Sequence, residues 1–246
     1  MSGFTQVQRN PVSGAVFDQI AGQVLDGSLP AGALLPPERI LTQEFGVNRQ
    51  ALREALQRLA QLGLVEIRHG GATRVCDWRA SAGLDLLPLL LIRADGAAAP
   101  QVVRAIMEMR AAVGADAAAL CALRGGEQLL RDLRAAVADL VHCDPVGRVA
   151  ADTRFWDLIV DGSGNVCYRL ALNGLRASYR QAESLVHQVL TPEHNAVDRY
   201  RAVAQAIASR DAPQARYRAA ALLELGTAAM STFLPDPSDI STRGKS

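Results

Sequence analysis

Residues 36–75 read PPERILTQEFGVNRQALREALQRLAQLGLVEIRHGGATRV, and the fold of the N-terminal third follows from this stretch. From Glu38 to Phe45 the pattern is helical, and Gly46 closes it as a C-cap glycine does. Asn48 is a natural N-cap for a second helix, in which Leu52, Ala55, Leu56 and Leu59 recur at the spacing of one buried face before Gly63 ends it. The run LVEIRHGGATRVCDW, residues 64–78, then carries two short segments rich in Val, Ile and Thr around Gly-Gly, which reads as a β-hairpin. Upstream, Val16, Phe17, Ile20, Val24 and Leu25 form a helical stripe within residues 11–27 that stops at Gly27, and the intervening SLPAGALLPPER is too rich in proline for a long helix. Three helices followed by a hairpin make a winged helix-turn-helix.

On the helix after Asn48 each residue advances about 100°. Arg49, Arg53 and Gln57 therefore share a face, with Gln50 beside them and the leucine stripe on the other side. Arginine can grip guanine bidentately and glutamine can do the same to adenine, so this face suits the major groove of duplex DNA. The same residues would also serve as the solvated side of any amphipathic helix. The short helix before them, the glycine turn, Arg39 near its start and the hairpin after them tip the balance towards DNA. At the hairpin tip His69, Gly70 and Gly71 leave the backbone able to approach a groove, with Arg68 and Arg74 flanking it for phosphates.

The 246 residues carry a net charge of only +1, so any attraction to nucleic acid must be local. Lys245 is the only lysine, and arginine supplies nearly every cation. The sequence has no apolar run near the roughly 20 residues of a membrane span and no secretory signal at MSGFTQVQRN, so a soluble, cytoplasmic protein is expected. Cys76, Cys121, Cys143 and Cys167 lie too far apart for zinc or redox motifs and read as free thiols. The domains expected are residues 1–78 for DNA binding, 79–99 as a linker, 100–234 as an all-helical bundle and 235–246 as a disordered tail, a mainly α chain whose strands are confined to the hairpin wing. Helices are expected over about 100–123, 127–142, 149–160, 166–190, 198–210 and 213–233, with breaks at Gly125, Pro145, Gly162 and Pro192.

The quoted stretch resembles the DNA-binding domain of the GntR family of bacterial transcription regulators, and the resemblance covers about 65 residues in all. The resemblance implies that Arg39, Arg49 and Arg53 meet phosphate or base edges, that Asn48 and Gln50 sit at the groove, and that His69 and Gly70 enter from the wing. Asn48 stands where that family usually has Ser or Thr, which preserves the cap.

The C-terminal part is similar to the helical, ligand-binding FCD half of the FadR branch, through EMR at 108–110, DTRFW from Asp152, GSGN at 162–165 and AIASRD at 206–211. Many such proteins hold a divalent metal with an Asp, a His four residues later and two further histidines. Here Asp152 matches the first, but the others fall at Trp156, Tyr200 and Leu222, so no metal or other cofactor is expected. His142, His187 and His194 lie elsewhere and read as solvent-facing or capping residues. The substitutions make a pocket apolar and aromatic, which suits a fatty acyl-CoA or another hydrophobic carboxylate. They would equally fill a helical core. The resemblance also implies that Arg110 meets the anionic group of an effector, with a salt bridge to Asp152 or Glu108 as the alternative, and that Asn165 and Asn173 bond the ligand or cap helices.

The function expected is that of a homodimeric regulator that binds double-stranded operator DNA under control of a small-molecule effector. A small organic acid as effector, or a dimer without a ligand, are the alternatives. An enzyme is not expected, because the sequence has no nucleophile elbow, phosphate-cradling glycine loop or metal-ligand cluster.

Overall fold

The computed structural model describes residues 12–68, 72–93, 96–180 and 182–233. The hairpin tip, including His69 and Gly70, and the tail 235–246 lie outside the described residues. The chain forms two compact units that divide between Leu86 and Leu87.

In the first unit α1 (Val12–Leu25) packs on α3 (Arg49–Gln61), and α2 (Glu38–Glu44) packs on α3 as well. The stripe read from the sequence is the core: Leu52, Ala55, Leu56 and Leu59 are buried together with Val16, Phe17 and Ile20. Each large apolar side chain removed from water contributes about 1.5–3 kcal/mol, so the polar half of α3 has only solvent left to face. Asn48 caps α3, its side-chain oxygen accepting from Ala51 N at 2.8 Å. Gly46 ends the preceding turn at φ +63° and Gly63 closes α3 at φ +72°.

The wing is β1 (Val65–Glu66) against β2 (Arg74–Val75), antiparallel, with Val65 opposite Val75. Residues 32–35 add a further edge, because Gly32 N donates to Val75 O, Val75 N to Ala33 O and Leu35 N to Thr73 O at 2.8–2.9 Å. The proline-rich segment thus pairs with the wing. The stretch read as a linker holds α4 (Trp78–Ser81), a 3-10 turn (Leu84–Leu86) and α5 (Leu87–Leu91). Ser81 Oγ donates to Gly63 O at 2.7 Å, tying α4 to the end of α3.

The second unit is helical: α6 (Pro100–Arg124), α7 (Glu127–His142), α8 (Pro145–Gly162), α9 (Val166–Tyr179), α10 (Glu183–Asn195), α11 (Val197–Ala208) and α12 (Ala212–Phe233). α6 is the spine, packed against α8, α11 and α12. Phe155, Ile159, Tyr200 and Leu222 lie fully within its core, where Phe155 and Tyr200 meet edge to face at 5.0 Å. Two expected features are corrected. The single helix over 166–190 is two, α9 and α10, which part at residues 180–182, and Pro192 lies inside α10 rather than ending it. α8 also begins four residues earlier than expected, because Asp144 accepts from Gly147 N at 2.7 Å and caps it. Among the described residues no helix is long and apolar enough to cross a membrane.

Two glycines predict opposite effects. A Cβ on Gly63 would stand 2.7 Å from Ser81 O in a left-handed backbone, whereas one on Gly22, inside α1, would meet nothing within 4 Å. Gly63→Ala should therefore lower the unfolding midpoint of the protein by at least about 1–2 kcal/mol in stability. Gly22→Ala should raise stability by about 0.5–1 kcal/mol. Thermal unfolding of both variants checks the pair.

Candidate functional site

The polar face of α3 and the start of α2 form a continuous exposed surface. Arg39, Asn48, Arg49, Gln50, Arg53 and Gln57 are all exposed. Arg53 donates to Glu38 at 3.0 Å, and Gln50 to Glu54 at 3.2 Å. Both contacts are in water and worth little, about 0–1 kcal/mol, so either side chain is readily turned outward. Arg58, on the next turn, is occupied instead by the ring of Phe17, 4.1 Å from its guanidinium carbon. Arg74 opens β2 and is exposed, as is Arg68, which pairs with Glu66 at 3.0 Å.

The second unit encloses a cavity of about 1190 Å³, walled by α6, α8, α9, α10 and α12. Its apolar wall includes Val113, Trp156, Val160, Leu172, Leu175 and Leu223. Arg180, Ser184, His187 and Gln188 are exposed polar lining residues, beside the exposed Val149 and Ala150, and Arg110, Asp152 and His194 are the buried polar ones. Gly114 of α6 lets Leu223 approach the helix closely, since a Cβ there would lie 2.7 Å from it.

Beneath the cavity lies a buried ionic cluster. Arg110 donates to both carboxylate oxygens of Glu193, at 2.5 and 2.8 Å, and Glu193 is fully buried. The Tyr200 hydroxyl donates to Asp152 at 2.7 Å, and His194 Nε2 stands 3.6 Å from the other Asp152 oxygen, too far for a formed hydrogen bond. Burial pushes the Asp152 carboxyl up, but His194, the Arg110 charge and the Tyr200 hydroxyl outweigh it and hold the group below its ordinary value. Burial pushes Glu193 above its ordinary value against the pull of Arg110. Trp156 Nε1, Tyr179 Oη and His194 Nε2 are buried without a hydrogen-bond partner. All three belong to residues lining the cavity.

Residues 12–75 match bacterial regulatory proteins of the gntR family, and residues 105–225 match the FCD domain. The transcriptional regulator Mce2R of Mycobacterium tuberculosis is 40% identical over 229 residues, 93% of this chain and 95% of that protein. The chain belongs to the GntR family. A fatty acid metabolism regulator protein of Cronobacter sakazakii is 32% identical over 168 residues, 68% of this chain and 69% of its own length. Among solved structures, Lar of Listeria monocytogenes shares the fold at a TM-score of 0.56 and 16% identity, covering 94% of this chain and 99% of that one.

As a GntR-family transcription regulator with an FCD effector-binding domain, the protein divides its expected site residues unevenly. The cavity brings together Arg110, Asp152 and Trp156. Tyr200 and Leu222 are fully buried in the core behind it, with Tyr200 reaching the site only through Asp152. Asn165 caps α9, accepting from Cys167 N at 3.0 Å, and Asn173 is exposed; neither lines the cavity. The partner of Arg110 is Glu193, not Asp152 or Glu108. His194 is buried beside Asp152, correcting its reading as a solvent-facing or capping residue. One carboxylate, an indole, a phenol and an alkyl group do not fit a transition metal at the family's ligand positions. Glu193, Tyr179 and Arg180 were missed by sequence reasoning, as they sit beside a proline or a helix break where polar residues are commonplace.

The buried cluster sets two expectations. Arg110→Met leaves Glu193 uncompensated and should cost about 3–5 kcal/mol of stability. Asp152 has a depressed folded value, so its contribution is complete above roughly pH 4 and disappears as pH falls through that value. The stability gap between the native protein and Asp152→Asn should therefore stay constant above about pH 4 and narrow as pH falls below it. Denaturant titration across that range measures both; a gap that widens in acid contradicts the assignment.

Proposed function

We propose that the protein works as a cytoplasmic homodimer on a two-fold operator, reading DNA with Arg39, Asn48, Arg49, Gln50 and Arg53 and releasing or holding it according to an amphipathic acyl compound, such as a fatty acyl-CoA, in the FCD cavity. It acts by binding and not by turnover. Two recognition helices on one face of the duplex are about 34 Å apart, so an effector need only favour one dimer spacing. A coupling of about 1–3 kcal/mol changes occupancy some five- to 150-fold. His69 and Gly70 belong to the same DNA-facing set.

The observation that carries the effector reading is the 1190 Å³ cavity with its apolar wall and polar, partly cationic exposed rim. It has room for a hydrocarbon chain well beyond a small hydroxy acid, and it speaks against a solid core serving dimerisation alone. The relative named for fatty acid metabolism adds support.

Arg49→Ala and Arg53→Ala should each lose operator binding in a gel shift while the dimer stays intact by sizing. Glu38→Gln, which frees Arg53, should raise affinity for any duplex and steepen its salt dependence. Retained binding in both arginine variants overturns the DNA assignment. For the effector, a long-chain acyl-CoA should raise the unfolding midpoint and shift operator occupancy, whereas coenzyme A alone or a small hydroxy acid should not. Equal effects from all three compounds, or none from any, overturn it.

A further inference from the structure

Behind the main cavity lies a second void of about 30 Å³, lined by residues such as Leu91, Val103, Ile106, Met107 and Val189. Three residues line both spaces: Tyr179, Val186 and Leu190. They are a wall one side chain thick. Val186 and Leu190 lie four apart on one face of α10, and Tyr179 is the last residue of α9, where the helix gives way to residues 180–182. No hydrogen bond holds the Tyr179 hydroxyl. The ring can therefore turn without breaking one.

The small void has room for a water molecule, but its lining offers one hydroxyl and otherwise alkyl groups and a thioether. Water in such a space lacks the two to four partners it needs. Alkyl carbon is what fits. The charges around the main cavity give the direction of entry: at its buried side Arg110 is already taken up by Glu193, Asp152 lies beside His194, and the half-buried Arg176 is bonded to Asp157, while Arg180 and His187 line its exposed side.

We infer that Tyr179, Val186 and Leu190 form a partition that gauges hydrocarbon length, with the ligand lying tail-inward, its anionic end by Arg180 and His187 and its terminal methyl passing the partition into the small void. This rests on the acyl reading proposed above and adds which residues set the preferred chain.

The test is equilibrium binding of saturated acyl-CoA thioesters, from medium to very long chains, to the full-length protein and three variants. Native protein should gain affinity about fourfold per methylene up to an optimum length and then level off. Val189→Phe, which fills the void, should move the optimum to shorter chains. Leu185→Ala, which enlarges it from a half-buried position, should move it to longer ones and keeps the test alive if the phenylalanine variant fails to fold. Arg180→Ala should weaken all chain lengths by one common factor. An optimum that stays fixed in both void variants overturns the gauge and leaves the acyl reading standing. Affinity independent of chain length in the native protein overturns the acyl reading and the gauge with it.

Discussion

A guanidinium and a carboxylate, both out of water, fix how α10 stands against α6. Arg110 and Glu193 are 83 residues apart in the chain and meet through two parallel hydrogen bonds. Taking two ions out of water costs several kcal/mol each, recovered only when geometry is close to ideal, so the pair permits very few placements of α10. That restriction shapes the cavity. Leu190 and the α10 wall before it can stand off from α8 and leave room between them because the helix is held at its far end, where Glu193 meets Arg110 and His194 lies beside Asp152. An apolar pair at the same positions could hold the helices as firmly, but without directional bonds it would leave their register less sharply defined.

The first unit obeys a different rule. There the leucine face of α3 is consumed by α1, α2 and the wing, and the polar face is exposed as a result, not by separate design. Burial on one side of a helix is enough to present arginines on the other. Part of this surface's charge is matched, since Arg53 shares its charge with Glu38 and Gln50 leans on Glu54, while Arg39 and Arg49 stand exposed beside them. Glu38 occupies the Arg53 guanidinium at small energetic cost, since both groups remain in water.

What the sequence made legible was whatever local chemistry decides. The cap at Asn48, the left-handed glycines 46 and 63 and the four-residue recurrence of leucines need only their neighbours in the chain to be read, and they placed α2, α3 and the wing correctly. The bundle helices were legible for the same reason. The buried cluster was not. Glu193 follows a proline near a helix end, where a glutamate is normally solvated, and only the return of α6 from 83 residues upstream makes it an interior ion. The division of α9 from α10 was equally hidden, since no glycine or proline separates Tyr179 from Glu183 in the sequence. Pro192 misled in the opposite direction: Val189 and Leu190 on one side and Glu193 and His194 on the other are all buried, and their packing carries the helix through a residue that local rules would place at its end.

That proline has a mechanical consequence. Having no N–H, it cannot bond the carbonyl of Gln188 one turn back, so the ladder of α10 lacks a rung exactly where the helix borders the ligand space. Thr191 turns its hydroxyl onto the His187 carbonyl at 2.6 Å beside the gap, which draws that neighbouring turn slightly open as well. The missing rung therefore weakens the ladder of this wall at one joint, with the ionic clasp just beyond it as the fixed end.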